Sequence, residues 1–120
     1  MILRIDTTNN GFLEIALEKT GEIKRTRTKA HYNQAEKLLP AIEAVLKKNK
    51  VELKDVKKIK VRNRGGSFTS LRIGVVTANA LAYALGIRIE GENGSKKIKG
   101  IEIVEPIYGK EPNITIKRIT

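Results

Sequence analysis

One acidic residue stands where metal-dependent chemistry would need it. Asp6 lies near the end of the first predicted strand, residues 2–7, and is followed by Thr7 and Thr8. Two-metal hydrolysis needs several carboxylates that converge on one site. The other candidates are spread over outer strands, a helix start and a linker: Glu14, Glu18, Glu36 and Asp55. The pattern favours an Asp6 that accepts hydrogen bonds from turn amides, and a nucleotide- or metal-dependent hydrolase using Asp6 is the alternative.

Two further positions have the chemistry of a site. Gly65, Gly66 and Ser67 precede a predicted helix, where free backbone N–H groups can cradle a phosphate. No GK[ST] follows these glycines, so the segment is not a P-loop, and a tight strand-to-helix turn accounts for the same residues. His31 has no cysteine and no second histidine with which to share a metal, which favours a contact at the entry to a helix.

The chain is strongly basic. It carries 24 Lys and Arg against 13 Asp and Glu, a formal net charge of +11, and such a charge attracts polyanions such as RNA. Almost no aromatic residues are interleaved with the basic runs, so base stacking is not predicted and RNA contacts should be electrostatic. A solubilising basic surface explains the same composition. The candidate RNA contacts are Lys24, Arg25, Arg27, Lys57, Lys58 and Lys60.

The composition excludes several classes of protein. There is no cysteine and one histidine, which rules out a disulfide framework, a thiolate metal site and an all-histidine site. The first residues, MILRID, lack the layout of a signal peptide, and we expect charges to interrupt every apolar stretch of bilayer-spanning length. These features predict one cytoplasmic domain of 120 residues with no membrane association.

The order of predicted elements indicates the fold. Strands are predicted at residues 2–7, 12–18, 23–28, 56–61 and 87–90, with helices at 33–48 and 69–85. Three meandering strands followed by a βαβαβ-like part suit an α/β fold, a five-stranded mixed sheet with two main helices on one face. This is the layout of a ribonuclease H-like domain, or half of an actin-like ATPase. Residues 91–100 are polar and predict a loop, and the tail at 101–120 either adds a strand or wraps the surface.

The second helix carries almost no charge. Arg72 is the single charged residue between Thr69 and Gly86. Small residues recur along one stripe at Gly74, Ala78 and Ala82, with Ser70 one step earlier, and the opposite side is aliphatic. We therefore predict that the aliphatic side faces the sheet and that the small stripe is exposed for contact with another helix. Packing of the stripe on the chain's own sheet is the alternative.

Several segments resemble one protein family in order and spacing. They are IDTT at 5–8, HYNQAEKLLPAI at 31–42, GGSFTSLRIG at 65–74, ANALAYALGI at 78–87 and, more weakly, VEPIYGKEPNITI at 104–116. They are similar to the bacterial tRNA threonylcarbamoyladenosine biosynthesis protein TsaB. The resemblance implies a ribonuclease H-like domain at 1–90, a short connection at 91–100 replacing a second lobe, and a C-terminal tail at 101–120.

The resemblance also implies a role. Such proteins are catalytically silent relatives of the ATP-dependent enzyme TsaD, and older naming calls them glycoprotease-like. They pair with TsaD, or with themselves, through their two helices, and with the ATPase TsaE the complex installs threonylcarbamoyl on the adenosine beside the anticodon. No cofactor is then expected on this chain, because the partner would use ATP and a metal, and tRNA contact would be weak or indirect. The implied interface residues are Leu38, Ala41, Ser70, Gly74, Thr77, Ala78, Leu81 and Ala82.

Two positions depart from the family pattern. Arg64, Gly65 and Gly66 occupy the places of a usual Gly-Pro-Gly, and Arg4 stands where a small residue is common. If the stripe is exposed, Ala78→Glu should leave the chain folded and abolish pairing.

Overall fold

The computed structural model describes residues 1–108, in which a five-stranded mixed sheet with strand order β3-β2-β1-β4-β5 carries two helices. Strands β1, β2 and β3 form an antiparallel meander, and β4 and β5 add in parallel to β1. The predicted α/β class, sheet and helices are confirmed. The elements are β1 (Ile2–Asp6), β2 (Phe12–Lys19), β3 (Glu22–Lys29), α1 (Gln34–Lys48), β4 (Lys58–Val61), α2 (Phe68–Leu85), β5 (Arg88–Glu90), β6 (Lys96–Ile98) and β7 (Ile101–Ile103).

The alternation of apolar residues puts the core on one face of the sheet. Leu3 of β1 lies opposite Leu17 of β2 and Ile59 of β4, and Ile5 repeats the pattern one step along the strand. Because side chains on a strand alternate between faces, this register collects the large aliphatic residues on the side of α1 and α2. The buried residues of this face are Leu3, Ile5, Leu13, Ile15, Leu17, Ile59, Val61 and Ile89.

The opposite face of the sheet carries charged residues. Arg4 pairs with Glu18 at 2.7 Å, and Lys58 of β4 pairs with Glu90 of β5 at 2.6 Å. The hydrogen bond from Arg4 lowers the pKa of Glu18, and the hydrogen bond from Lys58 lowers the pKa of Glu90. Cross-strand pairs of opposite charge stabilise a solvated sheet face, so this side needs no apolar cover.

Part of the predicted loop at 91–100 is a strand. Lys96–Ile98 pairs antiparallel with Ile101–Ile103, and the turn between them is made by Lys99 and Gly100, both with positive φ of 52° and 82°. Such paired positive values are typical of tight hairpin turns. The prediction of a loop was therefore wrong from Lys96 onward, and the first part of the tail forms a strand. Residues 109–120 of the predicted tail lie outside the described residues.

Glu102 of β7 fastens this hairpin to the edge of the main sheet. Its carboxylate accepts hydrogen bonds from the Ser95 hydroxyl at 2.7 Å and the Ile89 backbone N–H at 3.0 Å, and it pairs with Arg88 at 3.4 Å. The Ser95 and Ile89 bonds and the Arg88 guanidinium lower the pKa of Glu102 to about 2. The side chain thus satisfies a backbone donor on edge strand β5 that would otherwise invite pairing with another chain.

We expect Glu102→Gln to weaken the attachment of the hairpin by about 2 kcal/mol near neutral pH, as for a hydrogen bond to a charged group. Because the pKa of Glu102 is lowered on folding, its stabilisation is complete above pH 4.5 and is lost as the pH falls toward about 2. Denaturant unfolding at several pH values measures this. The difference from wild type should shrink through that window, whereas Glu43→Gln, a control at an exposed position, should keep the stability of wild type near neutral pH. A difference that stays constant with pH would contradict the assignment.

Candidate partner interface

Helix α2 begins and ends at defined caps. The Ser67 hydroxyl oxygen accepts a hydrogen bond from the Ser70 backbone N–H at 3.1 Å, which is an N-cap bond, and Gly86 closes the helix in the left-handed conformation with φ of 66°. Serine at the N-cap and glycine after the last turn are favoured at these two ends. The caps fix the length of α2, and a contact with the residue after β1 fixes its rotation.

That contact joins Thr7 to the first turns of α2. Thr7 is fully buried, and its hydroxyl donates to the Ser70 carbonyl at 2.6 Å. A Cβ on Gly74 would collide with the Thr7 side chain, and a Cβ on Gly66 would lie 2.7 Å from the Thr8 Cα. The IDTT and GGSFTSLRIG segments are therefore two halves of one contact, in which glycines let α2 approach the end of β1.

This rotation turns the small-residue stripe inward. Gly74, Ala78 and Ala82 lie in the core, with Ala78 fully buried and Ala82 at 2% exposure. The prediction that the stripe is exposed was wrong, and its alternative, packing on the chain's own sheet, is correct. The physical reason is that the Thr7 side chain packs directly against Gly74, so the side of α2 that carries Gly74 must face the sheet. Ala78→Glu would consequently place a charge in the core rather than test pairing.

The outward side of α2 is apolar and uncharged except for Arg72. Val76 is 62% exposed and Tyr83 is 68% exposed, and Ala80 and Ala84 are exposed between and beside them. These positions follow one another at helical spacing. We call Val76, Ala80, Tyr83 and Ala84 the outer α2 face.

Helix α1 extends this surface through Leu39. Leu39 is 54% exposed and lines, with Pro40 and Leu81, a groove of about 630 Å³ between the helices and the segment after α1. The predicted interface residues Leu38 and Ala41 lie in the core, at 0% and 6% exposure, where the chain's own side chains cover them. The remaining predicted interface residues are half-buried and lie beside the outer α2 face; they are Ser70, Thr77 and Leu81. Their contact with a partner stays a prediction.

The predicted RNA contacts do not form one patch of free charge. Arg25 and Arg27 pair with Glu14 at 3.4 and 3.0 Å. Lys58 pairs with Glu90 at 2.6 Å on the same charged sheet face, where Lys60 is half-buried. Lys24 lies opposite Leu17 and thus on the other side of β3, and Lys57 is exposed before β4. Their contact with RNA stays a prediction.

Asp6 makes the turn contacts predicted for it. One carboxylate oxygen accepts the Thr8 N–H at 2.8 Å and the Thr8 hydroxyl at 2.6 Å, and the other accepts the Asn9 amide at 3.2 Å. Within residues 1–108, no group of three or more His, Cys, Asp or Glu side chains is placed to hold a metal ion. The geometry thus gives the hydrolase alternative no additional support.

By length and composition alone, α2 would qualify as a membrane-spanning helix, with a mean hydropathy of 1.2 over 18 residues. As predicted, a charge interrupts this stretch, although Arg72 is the single charge within it. The helix nevertheless packs on the sheet through a continuous buried side. The residues of that side are Leu71, Gly74, Val75, Ala78 and Ala82.

A family model described as TsaD, tRNA N6-adenosine threonylcarbamoyltransferase, matches residues 25–94, more than half of the chain. The chain belongs to the TsaD family. Its sequence is 34% identical over 88 residues to the tRNA threonylcarbamoyladenosine biosynthesis protein TsaB of Bacillus subtilis (strain 168), covering 73% of this chain and 38% of that protein. The resemblance to TsaB predicted from the sequence is confirmed.

Solved structures show the same relationship. YeaZ from Pseudomonas aeruginosa aligns with a TM-score of 0.69 and 27% identity, covering 75% of this chain and 42% of YeaZ. A second structure from that organism, of an uncharacterized protein with similarity to peptidase YeaZ, aligns with the same TM-score and identity and is covered over 41%. The chain spans about two fifths of the length of these relatives. The ribonuclease H-like, actin-like fold is confirmed.

Two asparagines that sequence reasoning missed hold the segment after β7 in this TsaD-family domain. Asn63, 3% exposed, donates to the Glu105 carbonyl at 2.7 Å and accepts from the Glu92 N–H at 2.7 Å. Asn79 bonds both the carbonyl and the N–H of Val104, at 2.8 and 2.9 Å. The sequence did offer a signal for each residue. Asn79 is an amide in a helix with a single charged residue, and Asn63 is an amide shortly after strand β4.

We expect Gly74→Ala to reduce the free energy of unfolding by about 2 kcal/mol, since overpacking against Thr7 outweighs the better helix propensity of alanine. In a Thr7→Ala background the cost of Gly74→Ala should fall, because the colliding atoms are gone. Urea unfolding of the two single variants and the double variant measures this coupling. Costs that simply add would show that Thr7 and Gly74 do not constrain one another.

Proposed function

We propose that this chain is a non-catalytic subunit that pairs with a TsaD-like enzyme through the outer α2 face and Leu39. The observation that carries the proposal is an 18-residue helix with one charged residue whose solvent side holds Val76 and Tyr83 at 62% and 68% exposure. A contiguous apolar surface of this kind marks a protein contact in a stable domain. In the absence of the enzyme, the same surface would pair two copies of this chain.

The shape of this surface supports packing by helices. The small residue Ala80 lies between the larger Val76 and Tyr83, and Ala84 lies beside them, which gives the ridges and grooves that let two helices approach closely. The adjoining groove beside Leu39 and Leu81 offers room for a side chain from a facing helix. The contact would therefore be a helix-against-helix interface.

The proposed subunit leaves catalysis to its partner. Both oxygens of Asp6 already accept hydrogen bonds from Thr8 and Asn9, so its carboxylate serves the turn that positions Thr7. In this proposal the partner enzyme binds ATP and a metal, and this chain binds no cofactor. The assembly acts in the cytoplasm, with a TsaE-like ATPase as a third component, on the adenosine beside the anticodon of tRNA.

The direct test is Val76→Glu. Because Val76 is 62% exposed, the variant should keep wild-type stability as an isolated chain. An unpaired carboxylate in an apolar interface costs about 3 kcal/mol, so affinity for the TsaD protein of the same cells should fall roughly a hundredfold. Size-exclusion chromatography with light scattering measures the mass of the complex.

Ile98→Glu is the matched control, since Ile98 is 46% exposed on β6 and the substitution adds the same charge. It should leave pairing intact. Wild-type mass for Val76→Glu in the presence of TsaD, or equal loss of pairing in both variants, would overturn the proposed interface.

A further inference from the structure

An exposed aromatic pair lies at the start of α2. The rings of Phe68 and Tyr108 stack with centroids 4.6 Å apart and planes inclined by 20°. Phe68 is 57% exposed and Tyr108 is 43% exposed. The Arg72 guanidinium lies 5.4 Å from the centroid of the Phe68 ring. Two large rings and a guanidinium thus form one solvent-accessible stack.

The segment before Tyr108 is anchored so that the stack is preformed. The Ile107 N–H donates to the Asn63 carbonyl at 2.7 Å, and Asn63 also donates to the Glu105 carbonyl. Ile107 forms a parallel bridge with Arg64. These bonds hold the end of the described chain beside the turn that leads into α2, which brings Tyr108 onto Phe68.

Exposed positive charge lies beside the stack. Arg72 lies against Phe68, and Arg64 forms the bridge to Ile107, the neighbour of Tyr108. Both arginines are exposed, and the ion pairs found among residues 1–108 include neither of them. They differ in this from Arg25 and Arg27, whose charges are paired with Glu14.

We propose that Phe68 and Tyr108, with Arg64 and Arg72, bind unpaired nucleotides of an RNA strand. Aromatic rings supply stacking surfaces for bases, and guanidinium groups supply contacts to phosphates and further stacking. Stacking was not predicted from the sequence because the basic runs lack aromatics, and the fold supplies Tyr108 from a distant segment. The choice of RNA rests on the proposed function, since the matching family model describes an enzyme that acts on tRNA.

The test is fluorescence anisotropy of the isolated full chain with a labelled oligouridine of about ten nucleotides, within the usual range for such sites. We expect Tyr108→Leu to weaken binding about tenfold and Tyr108→Phe to bind like wild type, since the ring is retained. Tyr32→Leu is the matched control, because Tyr32 is fully exposed elsewhere on the surface, and it should leave binding unchanged.

Salt dependence tests the arginines separately. Removing one phosphate contact should reduce the slope of log affinity against log salt by about 0.7 for a single strand. Arg72→Gln should show this reduction, and Arg27→Gln, at an arginine already paired with Glu14, should not. A duplex RNA of the same length should bind more weakly than the single strand, because its bases cannot stack on the rings. A single-stranded DNA of the same sequence should also bind more weakly if RNA is the natural source.

Wild-type RNA binding by Tyr108→Leu would overturn the proposal. Loss of TsaD pairing in Tyr108→Leu with unchanged RNA affinity would also overturn it, because the rings would then belong to the protein interface. Equal or tighter binding of the DNA or the duplex would overturn it as well. The assay contains no partner protein and leaves Val76 unchanged. Its failure is therefore distinguishable from failure of the proposed pairing.

Discussion

The contact between Thr7 and Gly74 determines how α2 sits on the sheet. Thr7 is fully buried, donates a hydrogen bond to the Ser70 carbonyl and occupies the space that a side chain at Gly74 would need. Close packing leaves little freedom to rotate a helix once such a contact is made. The small residues of α2 must therefore face β1 and β4, and every residue on the far side of the helix is assigned to solvent or to a partner.

The same geometry links the end of the described chain to α2. Asn79 lies at the border between the buried and exposed sides and binds Val104 at both backbone atoms. Further along the chain, the Asn63 side chain bonds the Glu105 carbonyl, and the Asn63 carbonyl accepts from the Ile107 N–H. These bonds hold the segment after β7 against one side of α2. The groove beside Leu39 and Leu81 lies on the other side. Helix α2 thus separates two surfaces, an apolar one directed outward and an aromatic and basic one at its N-terminal end.

Much of the fold could be predicted because strands with alternating residues leave few choices. Leu13, Ile15 and Leu17 specify the buried face of β2 without further information. The orientation of α2 could not be predicted in this way, because both its small and its aliphatic residues are compatible with burial. What decided it was the Thr7 hydroxyl, directly after β1. The hairpin at Lys96–Ile103 was missed because its polar residues resemble a loop, and Tyr108 lies far from Phe68 in sequence.

The most direct test of this helix orientation, and of the interface proposed from it, uses the absence of cysteine from all 120 residues. Ala80→Cys and Ala78→Cys each introduce one thiol, two positions apart on α2, and reaction with a maleimide reports the accessibility of each. We predict that Ala80→Cys reacts rapidly in the isolated chain and is protected by a saturating TsaD partner, while Ala78→Cys stays unreactive in both states. Rapid reaction of Ala78→Cys in the folded chain would contradict the orientation of α2. Unchanged reaction of Ala80→Cys with the partner present would contradict the proposed interface.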